Sequence, residues 1–407
     1  MTRAGRVDTL TDRRRSWWRT ELRIAIVIER FVPEGGGVEN VAWQVAHGLA
    51  RAGEDVTVVS REIGDPEPAT GTARPAVQTV FAPRLWQPLR VLTFSRSAGR
   101  RVRRGDRPRF DVVHSFSRTR HQDLYRAGGG SHADYLERTH PGIAGRLRGF
   151  SPRHRALLSI EGRVFRDVRQ RVQCASRLVA RRLSERHGVD PERILLLPNG
   201  IDLERYASDS ARAAGRALRG RETDGGAPVW LFPGSGWRRK GLDRVFQALT
   251  RSMPMAPHVW VAGRDAPGPW RRRAARLGIA DRVRFLGPRR DLEVLYHAVD
   301  GMLLPTRYDP FANVTLEAAA AGLAIVTTRA NGAAEWLGEA CRVLDEDDDP
   351  TQLARTLAGL GEPAARAAIG ARAARRAQDF GWPAHIEALR EEYRRIVEAR
   401  RGTGEAR

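Results

Sequence analysis

One local pattern occurs twice in this chain, and the repetition narrows the folds open to it. Residues 22–28 form a short apolar run suited to a buried strand, and Gly35-Gly36-Gly37 follows as a glycine turn. Val38, Val41, Ala42, Val45 and Leu49 then recur at helical spacing, and residues 56–59 supply a second strand. The second half repeats the order: a strand at 229–232, the turn Gly234-Ser235-Gly236 and a helix at 242–249. Further strand-like runs at 259–262, 283–286, 302–304 and 324–326 are separated by helical patterns. A strand at 111–114 belongs with the first set. Such units build parallel sheets covered by helices on both faces, the doubly wound α/β architecture. We expect two Rossmann-like domains in tandem, at 22–197 and 203–380, with a basic extension over 1–21. The linker, 198–202, lies in the turn-rich Leu197-Pro198-Asn199-Gly200-Ile201-Asp202. Ligands bind such sheets at the carboxyl ends of the strands, so the cleft between the domains is where a site is expected.

A length of 407 residues and a hydrophobic content of 41% suit two packed cores of roughly 150–200 residues each. Cys174 and Cys341 stand far apart and make no metal-ligating cluster; they read as small buried hydrophobes in a reducing compartment. No apolar stretch reaches the ~18–20 residues of a membrane span. The N-terminus, with Trp17-Trp18 among its basic residues, lacks the apolar core of a secretory signal. A net charge of +22 calls for an anionic partner; nucleic acid, an acidic membrane and a phosphorylated substrate all satisfy it. Of the 70 basic residues one is lysine, Lys240, in Pro233-Gly-Ser-Gly-Trp-Arg-Arg-Lys-Gly241. In a chain that uses arginine wherever either cation serves, the exception marks a position needing a compact ammonium on a flexible stem. The plain alternative is a coding bias that left one lysine behind.

Gly35-Gly36-Gly37 opens a helix, where backbone amides can meet phosphate oxygens. It has neither the spacing of the dinucleotide fingerprint nor a P-loop sequence, and a plain tight turn fits it as well. Arg238-Arg239-Lys240 follows the second glycine turn at an expected helix start. Cations there oppose the macrodipole, so an anion is expected to offset them. Asp309 and Glu317 stand eight positions apart, Asp309 before an expected helix and Glu317 inside it, in an otherwise apolar run. A carboxylate in such a run needs a partner: two hydroxyls of a ribose or sugar, or one of the many arginines. His132 follows the turn Gly128-Gly129-Gly130, and a lone histidine is more often structural. Residues 152–172 place Leu157, Ile160, Val164, Val168 and Val172 on one face and Arg155, Arg163 and Arg166 elsewhere, with Glu161 on the apolar side and paired. That suits a helix lying on an anionic membrane, and equally an ordinary surface helix. Asp345-Glu-Asp-Asp-Asp349 offers an Asp-x-Asp metal reading, but Asp349 before Pro350 is better explained as a helix cap.

At these residues the chain resembles glycosyltransferase family 4, the retaining enzymes of the GT-B fold. Within that family it is most similar to the lipopolysaccharide core glucosyltransferases that act on heptose. The likeness runs from about residue 22 to 400. It rests on the carboxylate pair, the alanine run after Glu317, Arg239-Lys240, the glycine loop and the Leu-Pro-Asn-Gly-Ile-Asp linker. The resemblance implies that Arg239 and Lys240 hold a donor diphosphate and that Glu317 takes the nucleotide ribose. Asp309 then lies near the donor sugar hydroxyls, where glutamate is usual, and Gly36 and Gly37 face the distal phosphate. Gly234 and the helix start at Phe311, Ala312 and Asn313 complete the donor site, Arg284 and Leu286 border the nucleobase, and His132 matches an active-site histidine. It also implies a last helix, 381–400, crossing back to the first domain. The expected partners are a nucleotide-diphosphate sugar, a phosphorylated glycolipid and the anionic inner leaflet touched through Arg155, Arg163 and Arg166. The first domain would then bind the acceptor, and the protein would sit in the cytoplasm at the inner face of the membrane. No metal, other cofactor or nucleic acid is expected. The best-fitting activity is glucose transfer from UDP-glucose to the lipopolysaccharide inner core. Mannosyl, heptosyl or N-acetylglucosaminyl transfer to another lipid-linked glycan is the alternative among enzymes, and a basic nucleic-acid-binding protein the alternative outside them.

Overall fold

The computed structural model describes residues 21–33, 35–64, 73–83, 86–103, 109–139, 151–222, 226–251, 257–345 and 349–402. The Trp17-Trp18 extension and residues 346–348 of the acidic run lie outside them. Two parallel sheets carry the chain. The first has seven strands in the spatial order Ala76–Thr79, Asp55–Ser60, Arg23–Val27, Val112–Ser115, Leu124–Arg126, Arg171–Cys174 and Ile194–Leu196. The second has six: Val283–Gly287, His258–Ala262, Val229–Pro233, Gly301–Leu304, Ala324–Thr328 and Arg342–Leu344. In each sheet the order reverses beside the first strand, and the crevice at that switch point receives ligands in doubly wound folds. Here the two switch points are the pairs Arg23–Val27 with Val112–Ser115, and Val229–Pro233 with Gly301–Leu304.

The anticipated strands all form, with bounds shifted by a residue or two. Leu124–Arg126, Arg171–Cys174 and Ile194–Leu196 were not anticipated, being three or four residues long and too short to show a period. The amphipathic segment is corrected more sharply. Its helix is Pro152–Arg166, Val168 is 76% exposed, and Val172 belongs to a strand. Leu157, Ile160, Val164 and Phe165 are buried in the first domain, so this apolar face is core and is closed to a membrane. Arg155, Arg163 and Arg166 do point outward.

The last helix, Trp382–Gly402, crosses back as expected. Ile386, Leu389, Tyr393 and Ile396 pack with Ile24, Ile26 and Leu49 in the first domain's core. Glu54 accepts from Arg390 at 2.7 Å, and Glu392 pairs with Arg171. A Cβ at Gly48 would lie 2.7 Å from Ile386, so glycine lets the two helices touch there. The linker runs beside this crossing: Ile201 N donates to Phe380 O at 2.8 Å, and His385 Nδ1 lies 2.7 Å from Pro198 O. Elsewhere Ser176 Oγ donates to Pro310 O at 2.8 Å, and Glu335 accepts from the amides of Arg177 and Leu178 at the start of a first-domain helix.

Candidate active site

The two switch points face one another across a cleft of about 1080 Å³. Gly35, Gly36 and Gly37 line one side; Gly234, Arg239, Lys240, Tyr308 to Asn313 and Glu317 line the other. Lys240 closes a single helical turn, Trp237–Lys240, and is 7% exposed. Its Nζ lies 3.8 Å from Asp309 Oδ2 and 3.4 Å from Pro233 O. Arg239 Nη1 donates to the same carboxylate oxygen at 3.2 Å and to Tyr308 O at 2.6 Å. Burial lowers the Lys240 pKa, and Asp309 opposes that shift. Two cations and one carboxylate, far apart in sequence, thus meet at the mouth of the second sheet. Gly234 is part of the arrangement: its φ is +98°, and a Cβ there would come within 2.6 Å of Lys240 Nζ.

The local reason differs from the one expected. Arg238 to Lys240 fill a single four-residue turn, too short to build the macrodipole that would oppose them. The amides of Gly236 and Trp237 are taken by Asp265 at 2.8 and 3.1 Å, leaving the side-chain cations to meet an anion. On the facing wall Gly36 precedes the helix Gly37–Arg51, and on the side of the cations Asn313 opens the helix Asn313–Ala320; neither helix start has a side-chain cap. Glu317 accepts from Tyr296 Oη at 2.9 Å, and burial raises its pKa. Arg205 and Lys240 act on it as nearby charges.

Two expectations fail geometrically. Arg284 pairs with Glu222 and, with Val283 and Phe285, lines a separate surface hollow, while Leu286 packs against the second domain's core. The stretch of this region that reaches the cleft is Pro288 to Arg290, with Gly263 and Arg264. His132 starts the helix His132–Thr139 behind the wall formed by Gly128, Gly129 and Tyr135. Its Nε2 lies 2.8 Å from His154 Nδ1, and burial pushes its pKa down to about 4. The structure does not bring it to the Asp309 cluster. Glu161 is paired as expected and organises this wall. It accepts from His132 N at 2.7 Å, Ser131 Oγ at 2.9 Å and Arg118 Nε at 3.3 Å, and its pKa falls to about 2. Asp349 caps Pro350–Gly359, accepting from Thr351 N at 2.8 Å. Sequence reasoning missed Arg126, Asn199 and Tyr308, which also line the cleft. Tyr308, next to Asp309, was within reach; nothing set Arg126 apart from the other arginines.

Two facing doubly wound domains with a cation pair at the cleft define a GT-B glycosyltransferase. Family models agree in both halves: Glycosyltransferase Family 4 matches residues 35–205, and Glycosyl transferases group 1 matches residues 227–362. Each of the two domains thus matches a glycosyltransferase family model. Among relatives, it is 35% identical to a D-inositol 3-phosphate glycosyltransferase of Kineococcus radiotolerans over 269 residues, 59% of this chain and 61% of that one. It is 33% identical to the protein of that name from Geodermatophilus obscurus over 226 residues, 52% of this chain and 49% of the other. The match thus spans about half to three-fifths of these relatives' length. Among solved structures, WaaG, a glycosyltransferase involved in lipopolysaccharide biosynthesis, superposes with a TM-score of 0.75 at 23% identity, over 90% of this chain and 98% of WaaG. Anabaena HepE in complex with UDP and glucose superposes with a TM-score of 0.67 at 19% identity, over 91% and 99%. At these identities the likeness is one of fold.

Proposed function

We propose that the chain is a retaining hexosyltransferase using a nucleoside diphosphate sugar, with UDP-glucose the best-fitting donor. The observation that carries this is the convergence of Arg239 and Lys240 on Asp309 at the second domain's switch point, opposite the Gly36-Gly37 loop. In the reaction the bond from the sugar's anomeric carbon to the diphosphate breaks and a bond to the acceptor hydroxyl forms on the same face. The acceptor proton passes to the departing phosphate oxygen, so no separate base is needed. Arg239 and Lys240 meet the charge that develops on the leaving group, from positions set before the substrate arrives. Asp309 accepts from sugar hydroxyls and Glu317 from the ribose. With two protein cations on the diphosphate, no step requires a metal, and turnover is expected to survive excess EDTA. The HepE complexes with UDP and glucose or UDP-glucose support this donor class.

For the acceptor, the proposal is a hydroxyl compound that carries phosphate. The fold likeness to WaaG supports a lipopolysaccharide inner-core acceptor, reached from the cytoplasmic face through exposed Arg155, Arg163 and Arg166. The relatives' name favours a second reading, a phosphorylated polyol, on the strength of higher identity. Among the described residues no helix is long and apolar enough to cross a membrane. The test is a thermal-shift panel of UDP-glucose, GDP-mannose, ADP-heptose and UDP-N-acetylglucosamine, followed by transfer assays on both acceptor classes. Stabilisation by UDP-glucose beyond that by the others is expected. A shift with nucleic acid that no nucleotide sugar competes away would favour a nucleic-acid-binding protein.

A further inference from the structure

Arg126 ends the strand Leu124–Arg126 at the carboxyl edge of the first sheet, lines the cleft and is 4% exposed. Three other buried charges among the described residues face an opposite charge: Lys240 faces Asp309, Arg366 faces Asp300, and Glu161 faces Arg118. Arg126 faces none among the described residues. Its Nη2 donates to the neutral Asn199 Oδ1 at 2.6 Å, its guanidinium lies 5.5 Å from the Phe116 ring centroid, and its Nε is buried without a partner. Burying a cation without a counter-charge is costly, and burial pulls its pKa down to about 10. The chain nevertheless clears space for it. A Cβ at Gly128 would lie 1.7 Å from Nη1, so a side chain there would push the guanidinium out of this position.

We propose that Arg126 is a specificity residue for the acceptor, a first-domain subsite that takes an oxyanion group, phosphate or carboxylate, borne beside the hydroxyl to be glycosylated. This rests on the transferase reading above. The donor's charge is already met across the cleft by Arg239 and Lys240. Arg126 is tied toward the second domain through Asn199, whose Nδ2 donates to Asn313 Oδ1 at 2.7 Å. Asn313 begins the helix whose start faces the donor site. One neutral relay therefore runs from the acceptor's anion to the helix that opens at Asn313. An arginine fork is suited to an oxyanion in a way a lysine is not.

The experiment titrates the full-length protein, saturated with UDP, with glycerol 1-phosphate and in parallel with glucuronate, read by calorimetry. The parent is expected to bind one of the two, which names the oxyanion. Arg126→Gln is expected to bind it at least tenfold more weakly, with UDP affinity within about twofold of the parent. Arg126→Lys, which keeps charge without the fork, is expected to fall between. Gly128→Ala, which keeps Arg126 but displaces its guanidinium, is expected to weaken the same probe, and UDP binding by both variants reports an intact fold. Equal probe affinity in parent and Arg126→Gln would overturn the proposal, as would a loss confined to UDP, which would place the guanidinium on the donor. Failure of the parent to bind UDP would instead remove the donor reading. The Arg126 subsite would then be judged from the probe titrations without nucleotide, by the same comparison.

Discussion

At Lys240 the choice of residue type and the space around it agree. The ammonium sits under Gly234, whose missing side chain leaves room for it. Lys240→Ala should lower kcat by about 2–4 kcal/mol of transition-state stabilisation while the melting temperature stays close to the parent's, because Arg239 still satisfies Asp309. Lys240→Arg should also be impaired, and parental rates in that variant would show that any cation serves. For Glu317→Gln the two readouts should separate. Nucleotide-sugar affinity should fall, while the free protein melts no lower than the parent, since the amide keeps an acceptor for Tyr296 and removes a buried charge. A lower melting point with unchanged affinity would make Glu317 structural. Lys240 and Glu317 could be read in the sequence because rarity marks the first and an apolar neighbourhood the second. Arg126 could not, because its distinction is a missing partner, which only the fold displays.

Element ends were harder to read than element existence, and the helix Pro152–Arg166 shows why. A four-residue apolar spacing continues through Val168 and Val172, so periodicity alone runs past the true end. The end is set instead by a distant residue. Arg193 donates to Phe165 O at 3.0 Å and Asp167 O at 2.6 Å, satisfying carbonyls that another helical turn would need. Short strands such as Ile194–Leu196 escape for a related reason: three residues have no period to detect, and their neighbours define them. With its apolar face in the core, this helix can offer a membrane only its charges. Arg155, Arg163 and Arg166 replaced together by glutamine should reduce binding to anionic vesicles and leave UDP binding unchanged. The parent's vesicle binding should fall steeply with salt, as the Debye length shrinks below ~8 Å. If the triple variant binds vesicles like the parent, this face is not the contact.

Across the whole molecule, the first domain is held together by buried polar groups whose ionisation state matters. His385, on the crossing helix, is pushed down to about 4 by burial, and His114, bonded to Tyr393 Oη at 2.8 Å, is lowered well below its ordinary value for the same reason. Both histidines are neutral when folded. The unfolded chain therefore takes up protons that the folded one refuses, and the stability present above about pH 6.5 is lost as pH falls toward 4. For His385 alone the shift corresponds to roughly 3 kcal/mol. Glu161, held down to about 2, stays ionised in the folded protein throughout this window and adds to the loss only at its acid end, where the unfolded chain's carboxylate, at 4.5, takes up its proton. Melting temperature should accordingly drop between pH 6.5 and 4. His385→Gln, which keeps a donor for Pro198 O, should flatten that slope; an unchanged slope would assign the acid sensitivity elsewhere.

The returning helix also sets an order on biosynthesis. Ile386, Leu389, Tyr393 and Ile396 are the last large apolar pieces of the first domain's core, yet the ribosome makes them after the entire second domain. A nascent chain that has finished residues 22–197 exposes an uncovered apolar groove along Gly37–Arg51 until the final turns emerge, a period in which exposed surface invites aggregation. The domain synthesised first is thus the last to be completed.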